Sequence, residues 1–211
     1  MALTKVIGAG LGTLTEDQVL GGATPTLTIG DAGAEDAKIV FDGNAQDYHI
    51  GLNDSIDSLT IGKGSALGTT TSMVIDANGV IAKPLHPSFF AFGGQNSWVE
   101  DISSGSIIVL NSTKHNIGSH YSTSSGKFTA PITGVYAFSF NFYVKKGSGT
   151  ALIYAALDDT AINYNNAGYH LVQAFVQDAD SNDETIGASW NYYMTANQTM
   201  ALYSADAGTD Y

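Results

Sequence analysis

From Tyr136 to Val144 every second residue is Tyr, Phe, Phe, Phe and then Val. A period of two over nine residues commits the segment to a β-strand with one buried face, since a helix would scatter the same side chains around its axis. Gly134 starts the strand. Before it, Lys127-Phe128-Thr129-Ala130 reads as a short extended piece halted by Pro131, with Ile132-Thr133-Gly134 as the turn between the two, so the order predicts a hairpin. The plain reading of such a hairpin is part of the core of a β-sandwich.

Composition points the same way. The 211 residues suit one or two domains, 44% are apolar, and 24 are glycine. Few charges, abundant small polar residues and turn signals about every ten residues describe an all-β chain of extracellular or virion type better than a helical enzyme. Eight lysines and no arginine stand against twenty carboxylates, a net charge of −12. Nucleic-acid binding, which needs clustered cations, is disfavoured, and an anionic membrane would repel the chain. No apolar run approaches a membrane span. With no cysteine, a disulfide framework and a Cys-ligated zinc are both impossible, so the expected source of added stability is oligomerisation. Met1 to Gly8 holds only a broken apolar stretch, too short for a secretory signal.

The alternating strand belongs to a longer pattern: Asn116-x4-Tyr121-x6-Phe128-x5-Gly134-x-Tyr136-x-Phe138-x-Phe140. This spacing resembles the signature of the C1q domain, a ten-stranded jelly roll related to tumour necrosis factor that assembles as a trimer. One position departs, with Leu110 where the family pattern opens with Phe; an apolar side chain is kept and a ring is lost. Ser88-Phe89-Phe90-Ala91-Phe92, after Pro87, resembles the first strand of such a head. The resemblance covers residues 88–211, and it implies a last strand for which the chain to Tyr211 leaves no room. Either the chain continues, the favoured reading, or a neighbouring chain completes the sheet.

Residues 1–24 read as a tail ordered by a partner, here a virion-attachment peptide. Gly8-Ala-Gly10-Leu-Gly12 has the wrong spacing for a dinucleotide fingerprint. Residues 25–82 carry six short strand-like pieces: Leu27–Ile29, Lys38–Phe41, Tyr48–Ile50, Ser58–Ile61, Met73–Ile75 and Val80–Ile81, each closed by Gly or an Asp/Asn turn. Strands this short bury too little area to fold singly, whereas three copies wrapped together share one core. The texture resembles the trimeric β-stalks of bacteriophage tail fibres; a small independent β-sandwich is the competing reading. Residues 83–87, with Pro84 and Pro87, form a stiff connector. Beyond it Ala151–Leu157, Leu171–Val176, Ile186–Met194 and Met200–Tyr203 read as strands. Ala151–Leu157 is apolar on both faces, which calls for a second subunit or for covering loops of the same chain.

Catalytic constellations are absent. His115 and His120 have no Glu between them, the pairs Glu100-Asp101 and Asp158-Asp159 are adjacent rather than facing, and no nucleophile elbow occurs. No enzyme activity and no cofactor are expected. The C1q resemblance implies calcium near a trimer axis, for which Asp178, Asp180, Asp183 and Glu184 form the densest acidic loop and Asp158 and Asp159 the next. His49 makes a three-histidine site only if it stands on a threefold axis; otherwise it is an ordinary exposed strand histidine. Asn163, Tyr164, Asn165, Asn166, Tyr169 and His170 combine aromatic planes with amides, the chemistry of glycan or protein contact. Trp190 and Tyr192 read instead as core.

The sequence therefore predicts an all-β protein with a trimeric stalk and a C1q-like head, a structural and adhesive component of a bacteriophage particle. Its partners would be two further copies, other virion proteins through the N-terminal segment, and a host-surface glycan or protein. The alternatives are a secreted C1q-like lectin and a capsule-depolymerising tailspike.

Overall fold

The computed structural model describes residues 17, 19–93, 102–144, 150–157, 171–176 and 184–205. The chain divides into two compact units, Met1–Lys83 and Pro84–Tyr211. Among the described residues every regular element is a strand except one 3-10 turn, Asp54–Ile56.

The N-terminal unit is an antiparallel meander of five strands in chain order: β1 (Ala37–Phe41), β2 (Tyr48–Asn53), β3 (Ser58–Lys63), β4 (Thr71–Ile75) and β5 (Ile81–Ala82). Five of the six expected pieces are strands; Leu27–Ile29 is not, and Leu27 and Ile29 lie exposed. The turns follow from their residues. Asp57 adopts a left-handed conformation to close the β2–β3 connection. Between β4 and β5 the Asp76 carboxylate accepts the N–H groups of Asn78 (2.9 Å) and Val80 (2.8 Å), while Gly79 takes φ 79°.

The C-terminal unit is a two-layer sandwich. One layer is a five-stranded sheet of order β12–β11–β14–β9–β8, built from β8 (Tyr121–Ser122), β9 (Lys127–Thr129), β11 (Ala151–Leu157), β12 (Val172–Val176) and β14 (Thr199–Ser204). Two strand pairs pack on it: β6 (Ser88–Phe92) with β7 (Ser112–Ile117), and β10 (Gly134–Val144) with β13 (Glu184–Met194). The long β10 alternates as its sequence predicts, with Tyr136, Phe138, Phe140, Phe142 and Val144 inward and Val135, Ala137, Ser139, Asn141 and Tyr143 exposed.

Two expectations change. The predicted β9–β10 hairpin does not form: β9 pairs with β8 and β14, and β10 with β13. The turn after Pro131 is instead an arch between layers, which lets Phe128 meet Tyr136 and Phe138 edge-on across the core at ring distances of 5.3 and 5.5 Å. The Tyr136 hydroxyl fixes the arch by donating to Ile132 O at 2.6 Å. Nor does β11 need a second subunit. Ala151, Ile153 and Ala155 face the sandwich core, while Tyr154 and Ala156 sit in a cluster on the other side with Ala201, Tyr203, Ala205 and Ile107. Both faces are closed by the chain itself, and Tyr154 and Tyr203 stack at 5.4 Å.

Candidate binding surfaces

The signature residues form a connected structure. The Asn116 amide at the end of β7 donates to Tyr121 O (2.7 Å) and accepts from the Tyr121 N–H (3.1 Å), bridging the turn into β8. The Tyr121 ring is buried, its hydroxyl donates to Leu110 O at 3.2 Å, and burial pushes that hydroxyl up to about 12 against the opposing hydrogen bond. Phe89 stacks on both Tyr121 (4.8 Å) and Phe128 (5.3 Å). Phe138 stacks on Trp190 at 5.3 Å, so Trp190, like Tyr192, packs against the core as expected. Leu110 packs between two core clusters, apolar contact without a ring. At Gly134 a Cβ would meet open space, and the structure offers no steric reason for glycine there.

This aromatic cluster lines an open cavity of about 1190 Å³. Phe89, Phe90 and Phe92 of β6 form one wall and Phe138, Phe140 and Phe142 of β10 another. Each of these strands pairs along one edge, β6 with β7 and β10 with β13; among the described residues no strand pairs with the second edge of either. Unpaired backbone beside apolar side chains is suited to an extended segment with alternating apolar residues. The final strand implied by the resemblance would follow residue 205, outside the described residues.

The N-terminal sheet presents a second surface. Its cross-strand rows are Ala37–Leu52–Leu59–Ile75–Ile81, Ile39–Ile50–Ile61–Met73 and Phe41–Tyr48–Lys63. All these side chains share one face, and it is the open one: Ile39 is 41%, Phe41 61% and Ile81 57% exposed. The opposite face carries Lys38, His49, Asn53, Ser58 and Thr60 together with the half-buried Val40 and Val74, and there His49 is 1% and Thr60 0% exposed. The connection of residues 64–70 lies over it. Lys38 Nζ donates to Ser65 O (2.6 Å), and His49 Nδ1 is 2.8 Å from Gly64 O. His49 is thus buried on the covered face, contrary to an exposed histidine or one standing among the apolar residues. Among the described residues its Nε2 has no hydrogen-bond partner.

The candidate contact residues Asn163, Tyr164, Asn165, Asn166, Tyr169 and His170 lie outside the described residues, as do Asp158, Asp159, Asp178, Asp180 and Asp183. Glu184 opens β13 opposite Val144. Among the described residues no three acidic or histidine side chains gather around one point.

The family model of the C1q domain matches residues 90–179. Solved structures similar to the chain include the globular domain of zebrafish complement 1qA protein, at 12% identity and a TM-score of 0.46, covering 59% of this chain and 91% of that one. Another is the Eiger tumour necrosis factor of S. frugiperda, at 14% identity and 0.45, covering 59% and 83%. Residues 90–179 thus match a C1q domain, on a chain whose described regular elements are strands apart from one 3-10 turn and whose first 83 residues form a separate unit.

Proposed function

We propose that this protein is a non-enzymatic adhesive fibre subunit, acting as a homotrimer: an N-terminal attachment peptide and β-stalk carry a C1q-like head that binds a host-surface glycan or protein. The C1q domain at residues 90–179 is the observation that carries this reading, since domains of that class commonly serve as binding modules. A fibre on a bacteriophage particle, on tail or capsid, accounts for an acidic, cysteine-free, glycine-rich chain with a meander of short strands before its head. Three sites on one rigid support would turn modest affinity into adhesion through effective concentration. The aromatic and amide residues 163–170 supply the contact.

The test is adhesion of the labelled full chain to intact candidate host cells. Saturable binding that falls when Tyr164 and Tyr169 are both changed to Ala supports the reading. Unsaturable binding, or binding indifferent to these changes and to competing surface glycan, contradicts it. A secreted C1q-like lectin shares the head and is distinguished by failing to co-purify with a particle.

A further inference from the structure

We infer that the apolar face of the N-terminal sheet, centred on Ile50 and Ile61, is the surface on which copies of this chain meet, three sheets closing these faces around one axis. The inference rests on the trimeric reading above and names the surface that makes it.

The sheet is inverted relative to a solitary domain. An ordinary antiparallel sheet turns its apolar face to a core and its polar face to water. Here the polar face is the sealed one, under the unit's own loop, and the apolar face is open. No buried hydrophobic side chain is found among the described residues of this unit; the buried ones there are His49, Asn53, Ser58 and Thr60. Without an apolar core, a five-stranded meander has little to offset the conformational entropy of ordering it.

Charge identifies the occupant. The chain carries −12 overall, so copies repel wherever their carboxylates oppose. Lys63 is the one charged residue among the three rows, and it stands at a corner. The acids of the unit, such as Asp42, Asp47, Asp54, Asp57 and Asp76, lie in the turns between strands. The face is therefore where like chains can touch without opposed carboxylates. Lys63 and the Tyr48 hydroxyl, both in the row at one end, are its only polar side-chain groups, and obligate homo-oligomer interfaces are the most apolar class.

Five strands about 4.8 Å apart, averaging about five residues of about 3.3 Å rise, give a flat footprint of roughly 400 Å² per copy. An apolar patch of that size on one chain is often an interaction site, and three copies would withdraw about 1,200 Å² in all.

The chain has no cysteine, so single Ile50→Cys and Ile61→Cys variants of the full chain can be joined with a short thiol-to-thiol linker. Lys38→Cys, exposed on the opposite face of the edge strand β1, is the control, and solution mass is measured for each. Three-copy mass with efficient joining at 50 and 61 but not at 38 is the expected result. Three-copy mass without joining at 50 or 61 overturns this inference and leaves the fibre reading intact. One-copy mass overturns both; unreactive thiols at 50 and 61 would then mean that the rest of the same chain covers the face.

Discussion

Asn116 and Tyr121 are joined twice, each giving the other one hydrogen bond through the Asn116 side chain and the Tyr121 backbone. Four intervening residues are what the turn from β7 to β8 requires, and an amide is the side chain that donates and accepts at once. Asn116→Ala leaves a half-buried N–H and C=O without these partners and should lower stability of the C-terminal unit by about 1–3 kcal/mol. Asn116→Asp keeps the acceptor and loses the donor, so it should fall between. The urea midpoint followed by tryptophan emission reads the series.

Tyr121 sets an alkaline limit. Its folded value of about 12 lies above the ordinary 10, so the folded state holds the phenolic proton more tightly than the unfolded state. The corresponding stability is complete below pH 10 and is lost as pH rises toward about 12. Tyr121→Phe should reduce the loss of stability across that window. At neutral pH it should cost about 1 kcal/mol, for the hydrogen bond to Leu110. Thermal melts of both proteins from pH 8 to pH 12 check this; parallel curves would contradict it.

Gly62 is where β3 meets the covering loop. A Cβ there would lie 2.6 Å from Thr70 O and 2.7 Å from the His49 ring, and one at Gly51 would lie 2.6 Å from Ala37 O. Gly62→Ala must displace backbone and an imidazole held to Gly64 O, and should open the loop over the polar face. Hydrogen exchange should rise across β2 and β3 and remain unchanged in the C-terminal unit.

Asp76 ties acid stability to the β4–β5 turn. The Val80 N–H, followed by the groups of Asn78 and Gly79, holds its carboxylate below the ordinary aspartate value. With the folded value depressed, the stability is fully present above the ordinary value and is lost as pH falls through the folded one. Asp76→Asn should therefore flatten the acid side of the pH profile below pH 4, read by hydrogen exchange at Ile75 and Ile81.

Much of the C-terminal unit was legible because its signal is local. The Tyr136–Val144 alternation is a strand with that face inward, and Ala151–Leu157 has those same bounds. Pairing was less legible. Lys127–Thr129 and Gly134 onward read as neighbours in a hairpin, yet they lie in different layers, because their partners are remote in sequence: Thr199 lies seventy residues from Thr129, and Met194 sixty from Gly134. Both faces of β11 are apolar since Tyr154 meets Tyr203 and Ile107 of its own chain, a long-range closure that no local period encodes. In the N-terminal unit the short strand-like pieces and their turns were visible, but not which face each would bury, nor that residues 64–70 would cover one side. His49 is buried against that loop rather than by hydrophobicity, and the buried Thr60 hydroxyl turns to Gly51 O of β2.

Whether these chains associate in threes through apolar faces they cannot cover singly is decided by the mass of the full chain in dilute solution, by light scattering. The expected mass is three times 22.1 kDa, persisting on dilution and in high salt. A stable, fully folded species of 22.1 kDa, with no association at any concentration tested, would contradict it.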